Sequence, residues 1–459
     1  MKPAPHEPAH CFSRAALAPL SPEDRWRFER FGQGPRVGVP HQCIHHAFEE
    51  QARARPAATA VEHLGAKVSY ATLDQQAERL AQLLAQHGVV AGDRVALFVH
   101  RSIAMVVGIL AVLKVGASYV PQHVGQAREP QLRHVAKVAG TRVVLTLQHL
   151  RAQVPVPSEG VCIAIDEVMA APLDERQPLP RFAPSRALGG GDGCFTLFTS
   201  GTTGMPNGVQ VTHRNVCNVL LTEPGSLGMR PGLRVSHVLA IAFDMAAWEI
   251  LGCLAHGATL VIRGASIAEA VQQVDIVIAT PTVLSGLDAD ACRNVRTVAV
   301  AGEPCPKALA DRWARFCTFY NACGPTETTI VNTMQRYEPR RGRLTIGKPT
   351  PNNTVYVLDD QRRPCPIGEV GEMWAGGDCV SEGYLHNDGL NAERYAPDPF
   401  LGDGHRMFRT RDLGRWTEDG ELEHLGRVDD QVKVRGFRVE LDSVSSVLEA
   451  APHCQRAAT

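Results

Sequence analysis

Between Val68 and Ala301, short apolar runs alternate with longer stretches whose apolar residues recur at helical spacing. Leu73, Ala77, Leu80, Leu83 and Leu84 share one face of a predicted amphipathic helix, entered through Val68-Ser-Tyr-Ala-Thr-Leu73. A helical pattern also begins at His45, carries Phe48 and Ala52, and breaks at Pro56. Arg94-Val-Ala-Leu-Phe-Val99 reads as a buried strand, Ile103 to Val115 as a helix, and Ser118-Tyr-Val-Pro121 as the start of the next unit. Strand-like runs recur at 142–146, 259–262, 275–279 and 297–301, with helical stretches between them. Short apolar strands alternating with helices predict an α/β fold, a large core of mainly parallel sheets flanked by helices. After Ile346 the texture changes. Thr354–Leu358, Gly371–Ala375 and Glu421–Leu425 read as strands joined by turns, which predicts a smaller β-rich unit. Gln431–Arg435 and Phe437–Leu441 read as two strands around Gly436, with a helix from Ser443. Residues 1–40, rich in proline and charge, read as a linker or leader running over the surface.

At 459 residues the chain exceeds one ordinary core, so more than one folding unit is expected. Its 44% apolar and 21% charged content is that of a soluble globular protein, and the net charge of -1 gives no basic excess to draw nucleic acid or an anionic membrane. The longest apolar run, Ile103 to Leu113, ends at Lys114, short of the ~18 residues that span a bilayer. The N-terminus lacks an apolar signal core, so cytoplasmic residence is expected, with no membrane partner. Thirteen cysteines without a C-x-x-C pair read as free, mostly buried thiols. His41, Cys43, His45 and His46 cluster, but no second ligand pair stands at finger spacing, and an ordinary helix entry is the simpler reading than zinc.

Candidate chemistry concentrates in Thr199 to Gly208, T-S-G-T-T-G-M-P-N-G, directly after the apolar run Phe195–Phe198. Three glycines and four small hydroxyl residues leave many N–H groups free to wrap phosphate oxygens. The pattern is not G-x-x-x-x-G-K-[ST], and no G-x-G-x-x-G follows a strand, which argues against a P-loop and a Rossmann dehydrogenase. Downstream, in order, stand Phe243-Asp-Met-Ala-Ala-Trp248, Ala301-Gly-Glu303 and Asn321-Ala-Cys-Gly-Pro-Thr-Glu-Thr-Thr329. Then come Gly371-Glu-Met, Gly383-Tyr-Leu385, Phe408-Arg-Thr-Arg-Asp-Leu413 and the run from Gly426 to Gly436. In this order and spacing they resemble the adenylation domains of nonribosomal peptide synthetases, members of the adenylate-forming (ANL) superfamily. The resemblance covers the chain from about Cys43 to its end.

That resemblance implies ATP-dependent formation of an aminoacyl-AMP with release of pyrophosphate, then transfer to the phosphopantetheine thiol of a carrier protein. It implies electrostatic stabilisation at the α-phosphate rather than a protein nucleophile. Thr199, Ser200, Gly201, Thr202, Thr203 and Gly204 would cradle the β- and γ-phosphates. Thr326 would contact the α-phosphate, Glu327 would hold Mg2+, and Arg427 would lie near the ribose and phosphates. Asn321 would reach the adenine amino group, with Gly302, Ala322 and Cys323 around the nucleotide, and Asp412 would accept the ribose hydroxyls. Taken one at a time, Asp412 also reads as a turn residue and Glu327 as a helix N-terminal carboxylate. Asp244 would pair with the substrate ammonium, and Met245, Trp248, Ile278, Ala299, Ala301, Ala322, Ile330 and Val331 would wall the pocket. This uncharged lining implies a bulky hydrophobic L-amino acid, aromatic first and branched aliphatic second.

The resemblance divides the chain into a leader at 1–40, an adenylation core at 41–428 whose β-rich part is 346–428, and a hinge with the start of a C-terminal subdomain at 429–459. Asp429 would be the hinge. The family's later lysine falls beyond Thr459, so a truncated piece of a larger synthetase, with an adjacent condensation domain, is implied. Four positions depart from the family pattern around the nucleotide. Asn207 replaces a lysine, Cys323 an aromatic residue, Arg411 a glycine, and His424 a tyrosine or phenylalanine. Arg411 is a candidate to restore the cation lost at Asn207. These departures keep open a second reading, a degenerate domain serving as an interaction module.

Overall fold

A computed structural model describes residues 12–173, 179–200, 205–402, 404–429, 431–434, 437–441, 444 and 448. Two sheets make the large core, the nine-stranded one with a parallel centre and antiparallel edges, the seven-stranded one parallel apart from one antiparallel edge. The nine-stranded sheet runs in the order Lys348–Pro349, Thr333–Tyr337, Thr318–Cys323, Thr297–Val300, Ile276–Ala279, Arg234–His237, Thr259–Ile262, Thr59–His63 and Ala66–Ser69. The seven-stranded sheet runs Gly383–Tyr384, Asn207–Thr212, Gly193–Thr199, Ser118–His123, Arg94–Val99, Val143–Thr146 and Val161–Ala164. The predicted β-rich unit is a separate antiparallel sheet of Asn353–Leu358, Gly371–Gly377, Arg406–Trp416, Tyr395–Pro397 and Leu422–Arg427. Gln431–Val434 and Phe437–Glu440 form the expected hairpin.

The predicted helices form where their signals lie. Ser69 accepts a bond from Thr72 N at 3.1 Å and opens Tyr70–Gln86, which buries Leu73, Ala77, Leu80 and Leu84. Ser102 does the same for Met105 N and opens Ile103–Lys114, buried at every residue from Ala104 onward. A helix apolar on all sides needs cover on all sides. This one packs on Arg94–Val99 and Ser118–His123 of one sheet and on Thr59–His63 of the other. No helix among the described residues is long and apolar enough to cross a membrane.

The structure corrects one expectation. From Phe12 onward the leader is not a loose surface segment. Ser21 caps the helix Pro22–Phe31, and Phe12, Leu17, Leu20 and Phe28 bury themselves against Tyr356, Trp374 and Phe400 of the antiparallel sheet and its flanking loop. The proline and charge content hid these anchors because they are few and irregularly spaced. Lys114, at which the longest apolar run ends, has an environment that the sequence pattern does not address. It is buried, with its Nζ 2.6 Å from Glu49, 2.6 Å from Glu78 and 2.8 Å from Asp74. Burial alone would lower the lysine pKa, but the three carboxylates outweigh it and hold the pKa raised. Glu78 also accepts Phe182 N at 2.7 Å, and Glu49 pairs with Arg181 at 3.0 Å. The cluster thereby ties three helices to the segment that leads back into the sheet.

The His41–His46 cluster forms a helix entry. His41 pairs with Glu50 at 3.0 Å, and His213 Nδ1 accepts Ile44 N at 3.3 Å. His45 and His213 are fully buried. Burial, then the neighbouring His213, His46 and Lys114, press the His45 pKa well below its ordinary value. Burial and His46 press His213 down to about 3 against the opposing charge of Asp192.

Two outcomes are expected. Lys114→Met leaves Glu78 and its neighbours as uncompensated buried charges, and urea unfolding should show a loss of ~3–5 kcal/mol. The histidine pair is neutral when folded and can take protons once unfolded. Stability is therefore full above the unfolded value of ~6.5 and is lost as pH falls below it, toward the depressed folded values. Each residue contributes up to ~1.4 kcal/mol per pH unit in that window, read as falling urea midpoints between pH 7.5 and 5.

Candidate functional site

The loop after Thr199 joins two antiparallel strands, with Thr199 paired to Asn207. The two flanking strands, Gly193–Thr199 and Asn207–Thr212, are thus hydrogen-bonded neighbours. Gly201, Thr202, Thr203 and Gly204 lie outside the described residues; Thr199 and Ser200 are half-buried at the strand end. At the position of the family's lysine, Asn207 Oδ1 accepts Asn387 Nδ2 at 3.1 Å, so a neutral amide pair stands there.

A second element faces this hairpin. Strand Thr318–Cys323 carries Asn321, Ala322 and Cys323 and feeds the 3-10 turn Thr326–Thr328. Asn321 is buried and donates through Nδ2 to Thr345 O at 2.7 Å, which leaves its amide oxygen as an acceptor for an amino group. Cys323 packs against the core of the antiparallel sheet. The turn packs on Asn207–Thr212. Glu327 within it is fully buried, and its Oε1 accepts the Tyr384 hydroxyl at 2.5 Å. Thr329 and Ile330 follow in the left-handed region, at φ 57° and 69°. Two β-branched residues there make a strained turn, held by the bond from Thr329 Oγ1 to Cys379 O at 2.8 Å.

The residues that the resemblance assigns to the apolar wall are buried. Ile278 and Ala299 are register partners on adjacent strands. Met245, Trp248, Ala301, Ala322, Ile330 and Val331 join them in the main core. Gly302 has φ +87°, and a Cβ built there would lie 3.7 Å from Met245 Sδ and 3.7 Å from Thr280 Cγ2. The Met245 thioether thus fills space beside the glycine turn. Asp244 is the half-buried first residue of the short helix Asp244–Ala247. Trp248 is fixed through its indole N–H, which donates to Gly225 O at 2.6 Å.

Sequence reasoning missed what fixes this helix. Glu249 is fully buried and accepts Val238 N at 2.8 Å, Leu239 N at 3.2 Å and His237 Nδ1 at 2.8 Å. Arg101 donates to the carbonyls of Val238 and Leu239 at 3.1 and 3.2 Å. Burial and the neighbouring Arg263 lower the Arg101 pKa to about 10, against the charge of Glu249. The two peptides leading toward Asp244 are thereby satisfied by charged groups. The adjacency of Glu249 to Trp248 was the only sequence signal.

Asp412 and Arg427 pair across two strands, with Arg427 Nη1 2.6 Å from Asp412 Oδ1. Arg427 also reaches Asp429 with Nε at 2.6 Å and Nη2 at 2.9 Å. His424 Nε2 lies 3.4 Å from Asp412 Oδ1. Burial would raise the Asp429 pKa, but Arg427 and Arg411 outweigh it and hold it low. Arg411 adopts φ +62°, the conformation for which the family keeps glycine. Its guanidinium contacts Glu393 and lies 3.5 Å from Asp429. Two carboxylates already neutralise this cation, so it is poorly suited to replace a phosphate-loop lysine. The three residues Asp412, Arg427 and Asp429 are brought together as one ionic unit.

A profile of AMP-binding enzymes matches residues 48–385. The chain is 47% identical over 444 residues to adenylate-forming reductase 06235 of Coprinopsis cinerea, covering 96% of this chain and 43% of the reductase. It is 34% identical over 432 residues to bacitracin synthase 3 of Bacillus licheniformis, covering 91% of this chain and 7% of the synthase. It thus spans less than half the length of these relatives. Among solved structures, it resembles the nonribosomal peptide synthetase FmoA3 in its AMPPNP-bound form. The TM-score is 0.79 at 27% identity, over 89% of this chain and 45% of that one.

Proposed function

Since the chain belongs to the AMP-binding enzymes, as an adenylate-forming domain of the nonribosomal peptide synthetase type, we propose that it activates a bulky hydrophobic L-amino acid. Aromatic side chains come first and branched aliphatic ones second. The observation that supports this reading is that the residues the resemblance assigns to the pocket wall (Ile278, Ala299, Ala301, Ile330, Val331) are buried and uncharged, while the carboxylate it assigns to the substrate ammonium, Asp244, is half-buried. Asp244 binds the α-ammonium and so sets the carboxylate toward the nucleotide. Met245 narrows the pocket beside Gly302 and tunes the side chain accepted.

The substrate carboxylate attacks the α-phosphate of ATP. The new bond is carboxyl oxygen to phosphorus, and the bond to the pyrophosphate oxygen breaks. Loop N–H groups and the hydroxyls of Thr199 and Ser200 hold the leaving phosphates, and Thr326 steadies the α-phosphate. Asn321 accepts the adenine amino group. Asp412 receives the ribose hydroxyls, its orientation fixed by Arg427. Glu327 offers a carboxylate, the hard oxygen donor that suits Mg2+, and would hold that ion, which would neutralise phosphate charge when bound. Asp429 is the hinge for the later transfer to a carrier-protein phosphopantetheine. The reductase relatives favour a parent protein in which the loaded acyl group is then reduced, over the condensation-domain neighbour that the leader implied.

Amino-acid-dependent ATP–pyrophosphate exchange across the proteinogenic set tests the reading. Exchange should peak with a bulky hydrophobic L-amino acid, and Asp244→Asn should lower kcat/KM for it by about 100-fold or more, as for a buried charge pair broken on one side. Exchange only with carboxylic acids lacking an α-amine would overturn the amino-acid assignment. No exchange, with no ATP-induced thermal shift, would favour the interaction-module reading.

A further inference from the structure

The motif Gly383-Tyr-Leu385 has no role in the chemistry above, yet it stands between the two halves of the nucleotide site. On one side it is built into the phosphate-loop hairpin. Gly383 pairs with Gln210 and Tyr384 with Val209, Glu382 N donates to Gln210 O at 2.9 Å, and Leu385 N donates to Gly208 O at 2.8 Å. On the other side, the same segment holds the Thr326–Ile330 turn at three points. Thr329 Oγ1 donates to Cys379 O at 2.8 Å, Ser381 N donates to Glu327 O at 3.0 Å, and the Tyr384 hydroxyl donates to Glu327 Oε1 at 2.5 Å.

Each contact has a distinct effect. The Cys379 and Ser381 anchors fix where the turn sits. The Tyr384 hydroxyl fixes the carboxylate itself, at the length of a charge-assisted bond. Tyr384 is buried and touches Tyr395 edge-on, with ring centroids 5.8 Å apart. Tyr395 in turn shares a 2.8 Å hydrogen bond with Ser381 Oγ. A strained turn with residues at φ 57° and 69° does not hold its own geometry, and an external brace supplies it.

We propose that Cys379–Leu385 is a strut that sets the Glu327 carboxylate at a fixed offset from the phosphate-loop hairpin, with Tyr384 as the positioning residue. The strut prepares one place for a divalent cation shared between protein carboxylate and nucleotide phosphates. The proposal rests on the reading of Glu327 as the metal-binding carboxylate. Metal-dependent nucleotide affinity therefore depends on Tyr384, whereas binding of the adenosine end does not.

The test is calorimetric titration of the full chain with ATP in Mg2+, with ATP in EDTA, and with AMP in EDTA, beside a thermal unfolding curve. Tyr384→Phe removes one hydroxyl and keeps the ring. It should lower affinity for ATP in Mg2+ about 10-fold, the loss of one hydrogen bond to a charged group. AMP affinity in EDTA should stay within about twofold, and the unfolding midpoint should move little. Thr329→Val, which removes a second brace without touching the carboxylate, should show the same selective loss. It keeps the idea testable if the tyrosine variant folds poorly. Glu327→Gln separates the two levels. If it leaves the Mg2+-dependent gain intact, the metal reading fails. If it abolishes the gain while Tyr384→Phe and Thr329→Val leave it intact, the strut is overturned. Equal weakening toward ATP and AMP in Tyr384→Phe would also overturn it, because that is general damage rather than positioning.

Discussion

A lysine ammonium sealed between two sheets is the constraint around which this fold is arranged. Helix Ile103–Lys114 touches both sheets, so its last residue has no route to water, and the charge must be met inside the protein. Glu49, Asp74 and Glu78 meet it from two other helices, and Arg181 balances part of their surplus. Hydrophobic contact alone would let the helical layer slide; four charges at fixed distances define its register.

The site then repeats the same device on a smaller scale. Three segments that carry candidate ligand-binding groups are held by charged or hydroxyl groups. Glu249, with Arg101, holds the peptides before Asp244. Tyr384 holds Glu327, and Arg427 holds Asp412. Catalysis by electrostatic positioning needs this arrangement, because dipoles and charges must already point at the place where charge develops. A loop free to relax toward water would lose that advantage.

The large elements were legible in the sequence because their signals are local. Tyr70–Gln86 announces itself through Ser69 and a leucine face, and Arg94–Val99 through an uninterrupted apolar run. The antiparallel strands next to the sheet edges were less legible. Thr333–Tyr337 and Asn207–Thr212 carry polar residues such as Gln335, Asn207 and Gln210 among apolar ones, so neither shows an uninterrupted apolar run. The leader hid Phe12 and Phe28 in a proline-rich, charged context, and nothing in the sequence pattern pairs Lys114 with Glu49, Asp74 and Glu78. At the candidate site, the order of motifs pointed to the residues that face a ligand. It could not point to those that hold them. Tyr384 lies 57 residues from Glu327, and Arg101 lies 138 residues from Leu239, separations at which no spacing rule links two side chains.

The left-handed turn at Thr329 and Ile330 bears on how such pockets can be redesigned. Ile330 is at once a wall of the candidate pocket and a β-branched residue in a conformation that resists β-branching. Replacing it with glycine or asparagine would relax the backbone while removing the wall. A larger branched residue would extend the wall while tightening the backbone. Pocket shape and local foldability therefore trade against each other at this one position. Substrate-swapping libraries should draw their diversity from the strand positions Ile278 and Ala299, where regular backbone separates the two demands.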